Sequence, residues 1–250
     1  MERVRNRIFL PEAVLKSIPS LISGDEYHKL TRSLRCRKGD FFSAICGDGF
    51  EYIIEITDIN KYRALFTIIE RLKTDTEPSL KISLYQSLLK SGGFSELIPQ
   101  LVYLGVKRLI PVATVRSESR AKKFGEEKKE RLARIVERAS ALCGRSILME
   151  TTDPLQFEEA LADARQNYLN LIFWEEENPQ PLKKALAQAR FNKDMKIGIF
   201  TGPEGGFTAE EVRKAKKSKI IPASLGKRIL DARTAPIAAI SALLYESGDI

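Results

Sequence analysis

The most informative part of the sequence is residues 199–211, which read IFTGPEGGFTAEE. An apolar run leads into a glycine-rich segment, and Thr208 followed three residues later by Glu211 predicts a capping box that starts a helix. Glycines let a backbone approach a ligand closely, and open α/β sheets bind ligands beyond the carboxyl ends of their strands. The segment therefore predicts a ligand-binding loop between a strand and a helix, although a tight turn without a ligand has the same pattern.

This loop differs from two common nucleotide-binding loops. It lacks the GxxxxGK[ST] pattern that cradles the phosphates of nucleoside triphosphates, and it lacks the GxGxxG pattern of dinucleotide-binding folds. Nucleoside triphosphates and NAD are therefore less favoured as ligands.

A second loop of the same kind follows at residues 223–235, which read ASLGKRILDARTA. It also comes after an apolar strand and opens a helix. Two such loops at the ends of successive strands would form the walls of one pocket. The alternative is a buried connection in which the apolar side chains only pack.

Beyond residue 78, strand-like runs alternate with helical stretches. The predicted strands are 80–85, 108–112, 169–174, 196–200 and 219–222. The predicted helices are 94–104, 126–142, 154–164, 181–189, 209–215 and 234–245. This alternation predicts an α/β fold, with a mostly parallel sheet covered by helices on both faces.

The first 70 or so residues have a different pattern. Short β-branched and aromatic runs at 41–45, 52–56 and 64–69 are separated by turn residues, and one helix is expected within 25–34. A small antiparallel barrel or sheet fits. The apolar pattern lapses at 73–78, which predicts a linker and two domains, residues 1–74 and 78–250.

The composition and the residue counts argue against a disordered, a disulfide-rich, a metal-binding and a membrane-spanning protein. Of the 250 residues 43% are hydrophobic and 30% are charged, so the chain can form a globular core. The net charge of +8 favours a polyanionic partner. Cys36, Cys46 and Cys143 stand far apart and His28 is the single histidine, so we expect neither a disulfide scaffold nor a metal site. No run approaches the roughly 20 apolar residues of a membrane span, and we expect a cytoplasmic protein without a membrane partner.

Together, GPEGGF at 202–207 and LGKRIL at 225–230, with a Thr-Ala pair opening the last helix, resemble the RsmE family. These are SPOUT-class RNA methyltransferases that methylate N3 of a uridine in 16S ribosomal RNA with S-adenosylmethionine. Two further segments are similar to family motifs: the run from His28 to Asp40, and YLGVKRLIP at 103–111. The resemblance covers the whole chain.

The resemblance implies a SPOUT domain with a C-terminal trefoil knot, preceded by a small PUA-like RNA-binding β-barrel. It also implies a homodimer that pairs through the knotted region, and adenosine bound by the knot loops. The implied cofactor-binding residues are Phe173, Phe200, Thr201, Gly202, Gly205, Leu225, Gly226, Ile229 and Leu230. Arg228 is the candidate catalytic residue, because a cation near the uracil ring would stabilise the anion left when N3 loses its proton. The alternative for Arg228 is a salt bridge that closes the loop.

Several polar positions depart from the family pattern. Where the family usually has RILRxETA, residues 228–235 read RILDARTA, so that a basic and an acidic position are exchanged. Asp231 and Arg233 then either form one ion pair of reversed polarity or have separate partners. The other departures are Tyr103, Arg138, Ala141 and Leu142. Two further functions therefore stay open: a methyltransferase of this fold with another RNA target, and a non-catalytic RNA-binding paralogue.

The distribution of charge favours RNA as the partner. Residues 213–228 contain seven basic and no acidic residues. Such residues would contact phosphates without reading sequence, or they are simply solvated helix faces. Phe173, Trp174 and Met149 are expected in the core rather than as stacking platforms.

Overall fold

The computed structural model describes residues 6–90, 93–117, 122–175, 180–187 and 189–250. The chain divides into two compact units. The first contains residues 1–77 and 136–148, and the second contains residues 78–135 and 149–250.

The first unit is built on one five-stranded sheet. Its strands are β1 (Arg7–Phe9), β2 (Leu21–Ser23), β3 (Phe41–Ile45), β4 (Phe50–Ile59) and β5 (Arg63–Lys73). Its helices are α1 (Glu12–Leu15) and α2 (Gly24–His28), and α2 continues as a π-helical turn over Lys29–Ser33. The strand order is β1-β3-β4-β5-β2, in which β1 pairs with β3 in parallel and the other pairs are antiparallel.

The sequence pattern explains this sheet. Gly47 and Gly49 have φ angles of +95° and +87°, which glycine adopts without steric cost, and they turn the chain from β3 into β4. Phe42, Ile54 and Phe66 are buried in the core of the unit. The strands expected at 41–45, 52–56 and 64–69 and the intervening helix are confirmed, but β4 and β5 are ten and eleven residues long and extend beyond the expected bounds. The parallel pairing of β1 was not part of the expectation.

The second unit is built on an eight-stranded sheet. Its strands are β6 (Lys81–Ser87), β7 (Arg108–Ala113), β8 (Glu150–Thr151), β9 (Leu155–Gln156), β10 (Leu169–Phe173), β11 (Gln180–Pro181), β12 (Lys196–Thr201) and β13 (Ile221–Ser224). The strand order is β11-β13-β10-β12-β6-β7-β8, with β9 also pairing with β7. Every strand pair of this sheet between described residues is parallel, which confirms the expected sheet.

Among the described residues, five helices lie between strands of this sheet in the chain, and a sixth follows the last strand. They are α3 (Gly93–Tyr103), α4 (Glu126–Cys143), α5 (Phe157–Asp163), α6 (Leu182–Leu186), α7 (Ala209–Lys217) and α8 (Thr234–Ser247), with a 3-10 turn at Ala164–Gln166. Residues 136–148, which include the end of α4, belong to the first compact unit. Within the parts of the chain that are described, no helix combines the length and the apolar character needed to cross a bilayer.

The central strands β6 and β12 are almost wholly buried, as is usual for a parallel sheet covered on both faces. The rings of Tyr85 and Phe200 stack there with centroids 4.3 Å apart, and Phe157 and Phe207 pack around them. Because all strands are parallel, the carboxyl ends of β10, β12 and β13 lie at one edge of the sheet.

Some element bounds differ from the sequence expectations. The strand expected at 219–222 is β13 (Ile221–Ser224), because Lys219 has a φ of +63° and the amides of Ser218 and Ile220 still bond to carbonyls of α7. The helix expected at 154–164 is shorter, because residues 155 and 156 pair with β7. The helix expected at 181–189 is α6, which ends after Leu186.

Candidate functional site

A pocket of about 400 Å³ lies at the carboxyl ends of β10, β12 and β13. Residues 173–175, residues of the loop after β12 and residues of the loop after β13 line it. The two loops that the sequence singled out therefore face one cavity, as expected of loops at the ends of neighbouring parallel strands.

Most of the residues predicted for the site line this pocket. They are Phe173, Thr201, Gly202, Leu225, Gly226, Arg228, Ile229 and Leu230.

Two predicted residues do not line it. Phe200 is fully buried and stacks on Tyr85, because its side chain points from β12 into the core. Gly205 is exposed and lies beside Arg116, where an added Cβ would be 3.3 Å from Arg116 Cβ.

The first loop, residues 201–206, is a tight turn formed by its own backbone. The amide of Gly206 donates to the carbonyl of Pro203 at 2.9 Å. A Cβ at Gly202 would lie 3.2 Å from Gly206 Cα, and Gly206 has a φ of +68°. Only glycine fits both positions without moving the loop.

Neighbouring segments hold the first loop from outside. Gln86 of β6 donates to the Gly202 carbonyl at 3.1 Å, and the Lys90 amide donates to the Glu204 carboxylate at 3.2 Å. The Arg116 guanidinium donates to the Gly205 carbonyl at 2.8 Å. Sequence reasoning missed all three anchors, because each of them lies far along the chain from the loop that it contacts.

The helix after the first loop starts with the predicted capping box. Thr208 Oγ1 accepts the Glu211 amide at 3.2 Å, and Glu211 Oε2 accepts the Thr208 amide at 2.8 Å. Glu211 is only 3% exposed, and its other oxygen accepts the Val115 amide at 2.8 Å. These hydrogen bonds fix where α7 begins and where the glycine-rich loop ends.

The second loop, between β13 and α8, has several side chains that line the pocket or are exposed to solvent. Gly226 has a φ of +112°, and its amide donates to Ser224 Oγ at 3.1 Å. Ile229 is 82% exposed although it is apolar. Arg228 is also exposed and forms no ion pair with any described residue. None of the described residues therefore supplies the salt bridge that was the alternative role for Arg228.

Asp231 and Arg233 have separate partners. Asp231 Oδ1 accepts the amides of Arg233 and Thr234, both at 2.8 Å, at the start of α8. These hydrogen bonds, led by that of Thr234, hold the pKa of Asp231 below its usual value. The Arg233 guanidinium pairs instead with Glu96 of α3. The structure favours the second of the two alternatives, because the exchanged charges do not pair with each other.

The pocket mixes charged and apolar groups. Three carboxylates, those of Glu175, Glu204 and Asp231, and the guanidinium of Arg228 stand beside apolar residues such as Phe173. Trp174 also lines it but is 4% exposed and belongs to the core cluster, as expected. Among the described residues, no group of three or more His, Cys, Asp or Glu side chains is placed to hold a metal ion. The site therefore suits an organic ligand that carries both charges and an apolar part.

Comparison with known proteins identifies the family. Residues 76–244 match the family model described as RNA methyltransferase domain, and residues 22–69 match the model described as RNA methyltransferase PUA domain. Ribosomal RNA small subunit methyltransferase E of Synechocystis is 33% identical over 241 residues, which are 95% of this chain and 77% of that protein. The chain belongs to the RsmE family.

Another RsmE protein and two solved structures also match nearly the whole length of this chain. The RsmE protein of Bacillus subtilis is 27% identical over 90% of each chain. A Legionella pneumophila methyltransferase, solved with bound S-adenosylmethionine, has a TM-score of 0.83 at 26% identity and covers 98% of both chains. RsmE from Neisseria gonorrhoeae, also bound to S-adenosylmethionine, has a TM-score of 0.80 at 28% identity over 96% of this chain and 97% of that one.

Proposed function

We propose that this protein transfers the methyl group of S-adenosylmethionine to N3 of a uridine in 16S ribosomal RNA. The observation that carries the proposal is the pocket at the sheet edge, which both glycine-containing loops of an RsmE-family chain line together. The two similar structures that contain S-adenosylmethionine support the choice of cofactor.

The residues present fit this cofactor. An added Cβ would crowd the turn at Gly202 and would meet the Glu175 carboxylate at Gly206, so at these two positions the loop offers only backbone to a ligand. Carboxylates and a guanidinium match a molecule with two cationic groups and one carboxylate. The residues proposed to hold the cofactor are Phe173, Thr201, Gly202, Leu225, Gly226, Ile229 and Leu230.

When bound, S-adenosylmethionine supplies an electrophilic methyl group on a positively charged sulfur. The chain must then align the uridine and ease the loss of its N3 proton. We assign the second task to Arg228, which lines the pocket, is exposed and has no ion-pair partner among the described residues. A guanidinium beside the uracil oxygens would stabilise the charge that develops as N3 is deprotonated.

Basic residues of the second unit would bind the RNA backbone. Arg213 and Lys214 of α7 pair with Glu210 and Glu158, at 2.7 and 2.6 Å. Lys216 forms no ion pair with a described residue, and the same is true of Lys217, Lys219 and Lys227. These four cations are the proposed phosphate contacts, which would give affinity without sequence readout.

The domain arrangement belongs to the same proposal. We place a PUA-like RNA-binding domain at residues 1–74 and a SPOUT methyltransferase domain at 78–250, in keeping with the family matches at 22–69 and 76–244. A C-terminal trefoil knot and a homodimer that pairs through it follow from the resemblance to the SPOUT class.

The proposal is tested in two steps. Isothermal calorimetry of the protein with S-adenosylmethionine should show binding, and small ribosomal subunits from a strain lacking the gene should gain 3-methyluridine when they are incubated with both. Mass spectrometry of digested 16S RNA measures the product. Cofactor binding without 3-methyluridine would favour a different RNA target, and the absence of both would favour a non-catalytic RNA-binding paralogue.

A further inference from the structure

We infer that Gln86 is a positioning residue for the cofactor pocket, and that it acts by fixing the Gly202 carbonyl. The inference rests on the proposed S-adenosylmethionine site and adds to it a residue that lies behind the pocket. Gln86 is near the end of β6, is fully buried and stands opposite Thr201 in the register of β6 and β12.

The contacts of Gln86 determine how its amide is oriented. Its Nε2 donates to the carbonyls of Ser87 at 3.2 Å and of Gly202 at 3.1 Å. Its Oε1 accepts the hydroxyl of Thr201 at 2.7 Å. Carbonyl oxygens can only accept, so the nitrogen must face the two carbonyls and the oxygen must face the hydroxyl. The amide is therefore locked in one orientation.

Two of these three partners belong to the site. Thr201 and Gly202 both line the pocket, and they are the last residue of β12 and the first residue after it. The Gly202 carbonyl belongs to the peptide bond with Pro203, whose own carbonyl accepts the Gly206 amide. Gln86 consequently fixes the peptide plane from which the glycine-rich turn departs.

The decisive variant is Gln86→Met, which keeps the length of the side chain and removes its hydrogen bonds. We expect the dissociation constant for S-adenosylmethionine to rise about tenfold, equivalent to about 1.4 kcal/mol. KM for S-adenosylmethionine should rise in proportion. The kcat at saturating cofactor and KM for the small ribosomal subunit should each stay within about twofold, because the contact positions only the cofactor loop.

A matched control separates positioning from stability. Asn167 is another buried amide of the same unit; it donates to Tyr85 Oη at 3.3 Å and to Asn170 Oδ1 at 2.9 Å, and it does not line the pocket. Asn167→Leu should lower the melting temperature while cofactor affinity in the folded protein stays within about twofold of the wild type. Wild-type affinity in Gln86→Met, with lowered stability alone, would overturn the inference.

A second variant of the same residue keeps the inference testable if Gln86→Met does not fold. Gln86→Glu keeps an oxygen that can accept the Thr201 hydroxyl and removes the amide that donates to the Gly202 carbonyl, so it should bind the cofactor more weakly than the wild type. Wild-type affinity in a folded Gln86→Glu protein would overturn the inference. Calorimetry of the wild type is read first, because absence of binding there would overturn the proposed function itself.

Discussion

The two loops that line the pocket are built in opposite ways. The loop at 201–206 is held by hydrogen bonds from Gln86, Lys90 and Arg116, and it offers mainly backbone. The loop between β13 and α8 presents exposed side chains, among them Arg228 and Ile229. The glycine positions of the first loop therefore set the shape of the site, and the exposed side chains of the second loop add chemical groups to it, so substitutions of those glycines should act through geometry and substitutions in the second loop through chemistry.

The largest effect is expected from Gly202→Leu. Its Cβ would lie 3.2 to 3.3 Å from backbone atoms of Gly206 and Phe207, which cannot give way as a flexible side chain would. Overpacking of this kind costs about 1 to 3 kcal/mol and would displace the loop. S-adenosylmethionine binding should fall about 100-fold in calorimetry, while circular dichroism still shows a folded protein.

Two variants that carry the same new side chain sharpen this test. Gly125→Leu is the control, because a Cβ at Gly125 meets nothing within 4 Å and its φ is not in the left-handed region. Gly226→Leu should weaken binding less than Gly202→Leu does, because its Cβ also meets nothing within 4 Å and only the φ of +112° is strained. Undiminished binding by Gly202→Leu would place the cofactor elsewhere.

Arg228→Ala should lower the rate of methyl transfer while the fold of the loop stays unchanged. Loss of one preorganised electrostatic group typically lowers kcat about 10²- to 10³-fold. Since Arg228 is exposed and has no described ion-pair partner, the free energy of unfolding should change by no more than about 0.5 kcal/mol. Single-turnover methylation of small ribosomal subunits measures the rate, and urea unfolding measures the stability.

The neighbouring exposed cation, Lys227, provides the control for Arg228. Lys227→Ala should reduce RNA affinity slightly and leave the rate at saturating RNA unchanged. An Arg228→Ala rate within a few-fold of the wild type would remove this residue from the mechanism.

Asp231→Ala should destabilise the protein by about 1 kcal/mol, the usual value of a helix-capping side chain. Asp231→Asn should retain most of that stability, because an amide oxygen accepts the same two backbone protons. The pKa of Asp231 is lowered in the folded protein. Its stabilising contribution is therefore complete above the unfolded pKa of about 3.9, and it is lost as the pH falls through the lower folded value.

Urea unfolding from pH 3 to pH 7 checks this dependence. The stability gap between the wild type and Asp231→Ala should be widest at neutral pH and should narrow at the acid end. A gap that is constant with pH would show that the carboxylate charge contributes nothing to the cap.

The smallest effect concerns Arg233. Because it pairs with Glu96 while Asp231 bonds to backbone amides, the double-mutant cycle of Asp231→Arg with Arg233→Glu should give a coupling energy below about 0.5 kcal/mol. The cycle of Glu96→Arg with Arg233→Glu should give about 0.2 to 1 kcal/mol, as both side chains are largely exposed. A larger coupling energy in the first cycle than in the second would show that Asp231 and Arg233 form the ion pair of reversed polarity after all.

Local sequence patterns predicted much of the second unit. The glycine-rich loop, its capping box and the parallel strands were all readable, because each depends on residues close together in the chain or on a repeated pattern of burial. The strands that were missed in this unit, β8, β9 and β11, have two residues each. Two residues are too few to show the alternation of apolar and polar side chains that marks a strand in a sequence. Strands this short form only where a neighbouring strand provides hydrogen-bond partners.

The family and the two loops that line the pocket could be recognised from the order of residues along the chain, but of the glycines in the first loop that reasoning selected Gly205, which lies outside the pocket, and left out Gly206, which lines it. The side chains that contact these loops from other strands and helices, and the direction in which Phe200 points, become visible only in the folded chain. Phe200 faces the core, Gln86 holds Gly202 from β6, and Arg233 pairs with Glu96 on α3. The physical reason is separation along the chain. Gln86 and Gly202 are 116 residues apart, so their hydrogen bond exists only because β6 and β12 are neighbours in the sheet.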